Sequence, residues 1–181
     1  MEKFKLFLTN KIVLIFSVAS SLVLTLILIK IDNMTAGPSG MGVSYLQLSF
    51  TKESFLRIIS LWGDYGVELF LKTIWIDYIY PVAYSFLIAG GMVIAEFKLL
   101  ENGKTFSKLE QQLFILPFLA AVFDMIENSF HIYILANRFY NEYIILAASI
   151  TASIKWFLII ISLLIFLKRY FAFRKIMKSE V

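Results

Sequence analysis

Residues 12–29 run for eighteen positions without a charge, bracketed by Lys11 and Lys30. About 20 apolar residues in a helix cross a bilayer, so this run reads as a transmembrane span. Three more apolar blocks of comparable length follow, and the predicted spans are 12–31, 73–95, 113–136 and 143–167. The fold class expected is all-α: a four-transmembrane-helix bundle, a single integral membrane domain over residues 1–181, with a small extracytoplasmic loop and short-helix cap between helices 1 and 2. Composition agrees, because only 17% of the residues are charged against roughly a quarter in a soluble domain. A signal peptide is the competing reading of the first block, since Lys3 and Lys5 precede it. The block exceeds the usual apolar core of about 7–15 residues and no small-x-small cleavage site follows it, so it is taken as a retained span.

The chain has no cysteine, which excludes disulfides, thiolate nucleophiles and cysteine-based zinc sites. Its net charge of +4 does not indicate nucleic acid, because the basic residues lie between apolar blocks and mark topology. The N-terminus, the connector 96–112 and the basic tail 168–181 carry eleven lysines and arginines together; the opposite side carries five over a longer stretch. Both termini are therefore expected in the cytoplasm, in a cell or inner membrane, with residues 32–72 outside.

Within 32–72, residues 33–42 with three glycines and Pro38 read as a loop. Asn33-Met34-Thr35 fits a glycosylation sequon, relevant only in a eukaryotic secretory setting. Residues 43–50 read as a short extended segment. Thr51 is placed to N-cap a helix reaching Trp62 and ended by Gly63, with Phe55, Ile58, Ile59 and Trp62 on one apolar face. Glu68 and Lys72 form an i,i+4 pair leading into the second span. In that span Pro81 cannot donate to the carbonyl of Asp77, so a bend is expected there. Gly90 and Gly91 mark a weak point or a close contact, and Ser17, Ser21 and Thr25 give the first span a small, polar packing stripe.

The third span departs most from plain hydrocarbon. Asp124, Glu127, Asn128 and His131 follow helical spacing and share one face. Each central charge costs roughly 2.5–3.5 kcal/mol to insert, while each large aliphatic residue returns about 0.3–0.6. The thirteen Leu, Ile, Val and Phe residues of this span supply about 6 kcal/mol, which its two acids nearly cancel. The stripe should therefore face other helices, water or a ligand. Lys155 falls roughly 18 Å below the outer end of the fourth span, at a depth that reaches Asp124. Asp77, Tyr80 and Tyr84 share these levels, so all eight side chains are expected around one outward-facing pocket.

Plainer readings compete at each position. Asp124 and Lys155 make a structural ion pair, whereas Glu127 and Asn128 have no obvious partner and favour a site. His131 lies where a solvated or stacked imidazole is as reasonable as a working one. The tyrosines and the three tryptophans belong first to interfacial belts and packing. A carboxylate-rich metal site of Asp77, Asp124, Glu127 and His131 has one histidine and no fixed spacing, so neither a metal nor a cofactor is expected. No Walker, HExxH or GxSxG motif is present. Ser129 adjoins the stripe without sharing its face.

Leu46-Gln47-Leu48 after the Gly-rich loop, Leu61-Trp62-Gly63, Asp77-Tyr78-Ile79-Tyr80-Pro81 with Tyr84, and Asp124 with Glu127-Asn128 resemble an uncharacterised family of small four-span bacterial membrane proteins. The resemblance covers most of residues 35–130. It implies that Asp77, Pro81, Asp124, Glu127 and Asn128 belong to one unit, and it supplies no reaction.

The function expected is binding or processing of an amphipathic, lipid-like ligand in an outward-facing polar pocket. Asp77, Tyr80, Tyr84, Asn128 and Lys155 would bind it, with membrane lipids as partners. Whether the protein is an enzyme stays open; if chemistry occurs, Glu127 or Asp124, with His131, would move protons and Lys155 would stabilise negative charge. Proton- or cation-coupled transport by a homo-oligomer is the second reading. A non-enzymatic scaffold subunit that pairs its buried charges with a membrane partner is the third.

Overall fold

The computed structural model describes residues 1–179; the last two positions of the basic tail lie outside the described residues. Among the described residues the chain is mostly helical, with no strand: α1 (Glu2–Leu8), α2 (Lys11–Ala36), α3 (Val43–Gln47), α4 (Lys52–Thr73), α5 (Ile76–Glu101), α6 (Leu116–Ala136) and α7 (Glu142–Ser179). Four of these stretches are long and apolar enough to cross a membrane. An α-helix satisfies its own backbone hydrogen bonds, which is what hydrocarbon demands of a spanning segment. Large apolar side chains such as Ile12, Phe16, Leu26, Phe157 and Leu164 stand exposed on the outside, as they would against lipid rather than water.

The packing is organised around α5. Its apolar window is 44% buried, against 11% for that of α2. It packs on α2, α6 and α7, while α2 and α7 have little contact with each other. Ser17 and Ser21 are buried, so the small stripe of the first span packs inward as expected. Gly90 and Gly91 are close-contact positions. A Cβ on Gly90 would stand 2.7 Å from the Leu14 side chain and 3.0 Å from the Leu8 carbonyl, and one on Gly91 would stand 2.9 Å from the Phe166 ring.

Several boundaries differ from those predicted. The first span continues to Ala36, placing Asn33 and a buried Thr35 inside the helix rather than in a loop. Residues 43–47 are helical, not extended. The Asp32 carboxylate accepts from the Val43 N–H at 2.5 Å, serving an amide that a helix start leaves open. Leu46, one turn on, is fully buried. α5 runs beyond the predicted connector start to Glu101, and α7 carries the basic tail onward as helix to Ser179. The third span opens with a 3-10 segment, Glu110–Ile115, and places Pro117 in the first turn of α6.

Thr51 caps α4 as predicted, its hydroxyl accepting from the Ser54 N–H at 3.2 Å. Gly63 breaks the helical path with φ 62° and ψ −177°, a region open essentially to glycine, yet the chain resumes helix at once. Phe55, Ile58, Trp62 and Phe70 of α4 and Leu46 of α3 then pack on Ile134, Leu135 and Ile145 at the joined ends of α6 and α7. Trp62 Nε1–H donates to the Met41 carbonyl at 2.6 Å. Each such large side chain contributes about 1.5–3 kcal/mol on full burial, which holds α3 and α4 against the helix ends. Glu68 and Lys72 pair at 2.6 Å on the exposed face, and that ammonium holds the Glu68 carboxyl below its ordinary value.

Candidate functional site

Asp124, Glu127, Asn128 and His131 are all buried on one face of α6, where helical spacing put them. α7 packs along this face and delivers Lys155, itself buried. The Lys155 ammonium lies 2.6 Å from Glu127 Oε2 and 3.2 Å from Asp124 Oδ1. From the other side, α5 brings the Tyr84 hydroxyl, which donates to Asp124 Oδ2 at 3.2 Å. One cation therefore serves two acids, and Asp124 ties three helices together.

Asn128 has a different task. Its Nδ2 donates to the backbone carbonyl of Asp77 at 3.1 Å, the group that Pro81 cannot reach with a proton. The expectation that Glu127 and Asn128 lack partners is thus corrected. Lys155 is long enough to reach past Asp124, and the proline creates an orphan acceptor opposite the amide.

His131 is fully enclosed. Phe55 stacks on its ring with centroids 6.3 Å apart, and Phe70 meets it edge-on at 6.2 Å. Its Nδ1 stands 3.6 Å from Glu127 Oε1, beyond hydrogen-bond range, and neither ring nitrogen has a hydrogen-bond partner among the described residues. Ser129 faces elsewhere and shares a 2.7 Å hydrogen bond with Tyr78. Among the described residues no three His, Asp or Glu side chains are grouped to hold a metal ion.

The space between α2 and α7, floored by α5, is a cavity of about 550 Å³. Asp77, Tyr80, Tyr84, Asp124 and Lys155 line it, together with Thr25, Gln47 and Trp156. Thr25 Oγ1–H donates to Tyr80 at 3.2 Å, and Trp156 Nε1–H to Gln47 Oε1 at 3.3 Å. A second cavity of about 260 Å³ shares Thr25, Gln47, Asp77, Tyr80 and Trp156 with the first and extends to Asp32 and Ser44. The joint space is lined mainly by hydrocarbon; Asp32, Ser44, Gln47 and Asp77 stand in the wall toward α3 among Ile29, Val43 and Ile74, and Leu87, Ile159 and Leu163 line the far end. Five of the eight predicted residues line it, while Glu127, Asn128 and His131 do not. The single pocket expected from sequence is in fact a cavity wall with a sealed cluster behind it, because the Lys155 ammonium occupies the gap between the two acids.

Comparison with protein-family models, curated proteins and solved structures returns no match. What the arrangement can do rests on its own chemistry. A chain of exchangeable protons runs from Tyr84 through Asp124 and Lys155 to Glu127, with its Tyr84 end on the cavity. The cavity itself offers a mainly hydrocarbon wall with a few hydrogen-bonding groups set into it.

Two features escaped the sequence reading. Glu96 is fully buried between Lys5 at 2.6 Å and Arg169 at 2.8 Å. Arg169 also donates to the carbonyls of Met92 at 3.3 Å and Glu110 at 2.5 Å. The signal was apolar periodicity: Phe97, Leu99 and Leu100 follow Glu96, and Tyr170, Phe171 and Phe173 follow Arg169, so neither residue begins a solvated segment. Gln47, buried against Trp156, was visible only as part of a resemblance motif.

Proposed function

We propose that the protein is an integral inner-membrane protein that binds, and in one version processes, a lipid-like amphiphile in the cavity between α2, α5 and α7. In this reading the four spans form a bundle, residues 32–72 cap its extracytoplasmic mouth, both termini are cytoplasmic, and the ligand enters from the outer leaflet. The observation that carries it is a mainly apolar cavity with a few polar side chains in its wall, Asp32, Gln47 and Asp77 toward α3, and with Leu87, Ile159 and Leu163 beyond them. A tail needs the hydrocarbon and a head group needs the few polar side chains, and mostly apolar pockets of a few hundred Å³ suit small ligands. The sparse contact between α2 and α7 supports lateral entry. The lysine and arginine count supports the orientation.

Native mass spectrometry of protein extracted in a neutral detergent tests the reading. Wild type should retain an extractable amphiphile, and Ile159→Trp, which fills the apolar end, should lose it while melting like wild type. Absence of any bound amphiphile from wild type, or its full retention in Ile159→Trp, counts against the proposal. The scaffold reading draws on a separate observation, the buried ion cluster in which Lys155 alone serves both Asp124 and Glu127, and a stoichiometric membrane protein in the same spectra would favour it.

A further inference from the structure

We propose that the head group taken by this cavity is an ammonium: the ligand is a cationic amphiphile seated with its charge beside Asp77, against the rings of Tyr80, Tyr84 and Trp156. This rests on the amphiphile reading above and names the class of ligand.

Asp32, Asp77 and Asp124 line the joint cavity, and among the described residues Lys155 is the one basic side chain that does so. That lysine is already engaged, 3.2 Å from Asp124 and 2.6 Å from Glu127 behind the wall. Asp77 forms no ion pair among the described residues and sits where the two cavities meet. An anionic head group would find no free cation here and would face two carboxylates. An ammonium would find an acid with no cation of its own.

Aromatic rings stand beside this acid. Tyr80 and Tyr84 meet edge to face with centroids 5.3 Å apart, and Trp156 closes the opposite side. Ring faces attract cations by their quadrupole, and clusters of them recognise alkylammonium groups. This wall already holds one ammonium, Lys155 Nζ, at 5.3 Å from the centroid of Trp156. Below the rings, Leu87, Ile159 and Leu163 receive the chain. Along α5 the lining runs from Asp77 through Tyr80 and Tyr84 to Leu87 and Ile88, an order of acid, rings and hydrocarbon that matches an amine carrying a single alkyl tail.

The test compares three probes with one tail: dodecylammonium, monododecanoylglycerol and dodecanoate, added to protein in a neutral maltoside and read by native mass spectrometry. Dodecylammonium should bind tightest. Asp77→Asn should weaken it roughly tenfold or more, the loss expected for a charge-assisted contact, while leaving the glycerol probe unchanged; Asp77→Glu should keep the preference. If Asp77→Asn does not melt like wild type, Tyr80→Leu serves instead, with loss for the ammonium alone expected. Equal or tighter binding of dodecanoate or of the glycerol probe overturns the head-group assignment and leaves the amphiphile cavity standing. So does an equal loss of the ammonium and glycerol probes in either variant. Binding of none of the three overturns both.

Discussion

The side-chain amide of Asn128 donates to the backbone carbonyl of Asp77 across 3.1 Å, supplying from α6 the proton that Pro81 removes from α5. A helix interior with proline has an acceptor without its donor, and in hydrocarbon no water replaces it. The pair therefore makes a proline tolerable inside a spanning helix and fixes α5 against α6 at the level of Asp77.

It follows that Asn128→Ala should destabilise the protein by about 1–3 kcal/mol, the cost of an orphaned buried acceptor. Pro81→Ala restores the helical donor, so the same Asn128→Ala change made in that background should cost much less. Unfolding of the four proteins in mixed micelles gives the cycle. Equal costs in both backgrounds would show that the amide does not serve the proline's carbonyl.

Lys155 is the common counter-ion of Asp124 and Glu127. Removing one partner of a buried charge group is far worse than removing all of it, typically by about 3–5 kcal/mol. Lys155→Met should therefore lower the unfolding midpoint steeply. Lys155→Met combined with Asp124→Asn and Glu127→Gln should recover most of the loss. Failure of the triple variant to recover would mean that Lys155 stabilises by its stem contacts rather than by its charge.

The helical class, the inward stripe of α6 and the meeting of Lys155 with Asp124 were legible in the sequence, because period and depth follow from helix geometry alone. Glu127 and Asn128 were misjudged for a common reason: their partners, Lys155 and the Asp77 carbonyl, come from other helices whose rotation the sequence leaves open. The short helix at Val43–Gln47 was hidden because its cap is Asp32, eleven positions earlier. Glu96 and Arg169 looked like boundary charges, since a hydropathy window stops at the first ionic residue whether or not a partner awaits it. Tertiary partners decide each of these cases, and one chain read in order does not display them.

Arg169 binds three oxygens from two segments, the Glu96 carboxylate and the carbonyls of Met92 and Glu110. A lysine keeps the charge but lacks the planar fork that reaches all three. Arg169→Lys should leave the spans folded while loosening the turn Glu110–Ile115, read as faster amide exchange there than in α6. Glu96→Gln should instead destabilise globally, by about 3–5 kcal/mol, since it leaves Lys5 and Arg169 buried without an anion. Unchanged exchange in Arg169→Lys would show that the charge alone holds this end of the molecule.

Gly63 sits at φ 62° and ψ −177° between the two halves of α4. A Cβ there meets nothing within 4 Å among the described residues, so the cost of substitution is conformational. Gly63→Ala should cost about 1–3 kcal/mol and weaken the seat of Phe55 and Phe70 over His131. Thermal unfolding measures the first effect, and hydrogen exchange in α4 the second. A neutral Gly63→Ala would mean that the two halves straighten into one helix.

The absence of cysteine makes the proposed orientation directly testable with single reporters. Ser60 is exposed on α4 and Thr105 is exposed beyond the end of α5, and α5 separates the two by one span. In intact cells an impermeant maleimide should label Ser60→Cys, and should label Thr105→Cys only after the membrane is opened. The reverse pattern would put the cavity mouth in the cytoplasm, and entry from the outer leaflet would fail with it. Labelling of both reporters in intact cells would remove α5 from the membrane altogether. Nothing would then force the acid stripe inward, because ionised groups are driven inward only where hydrocarbon surrounds the helices.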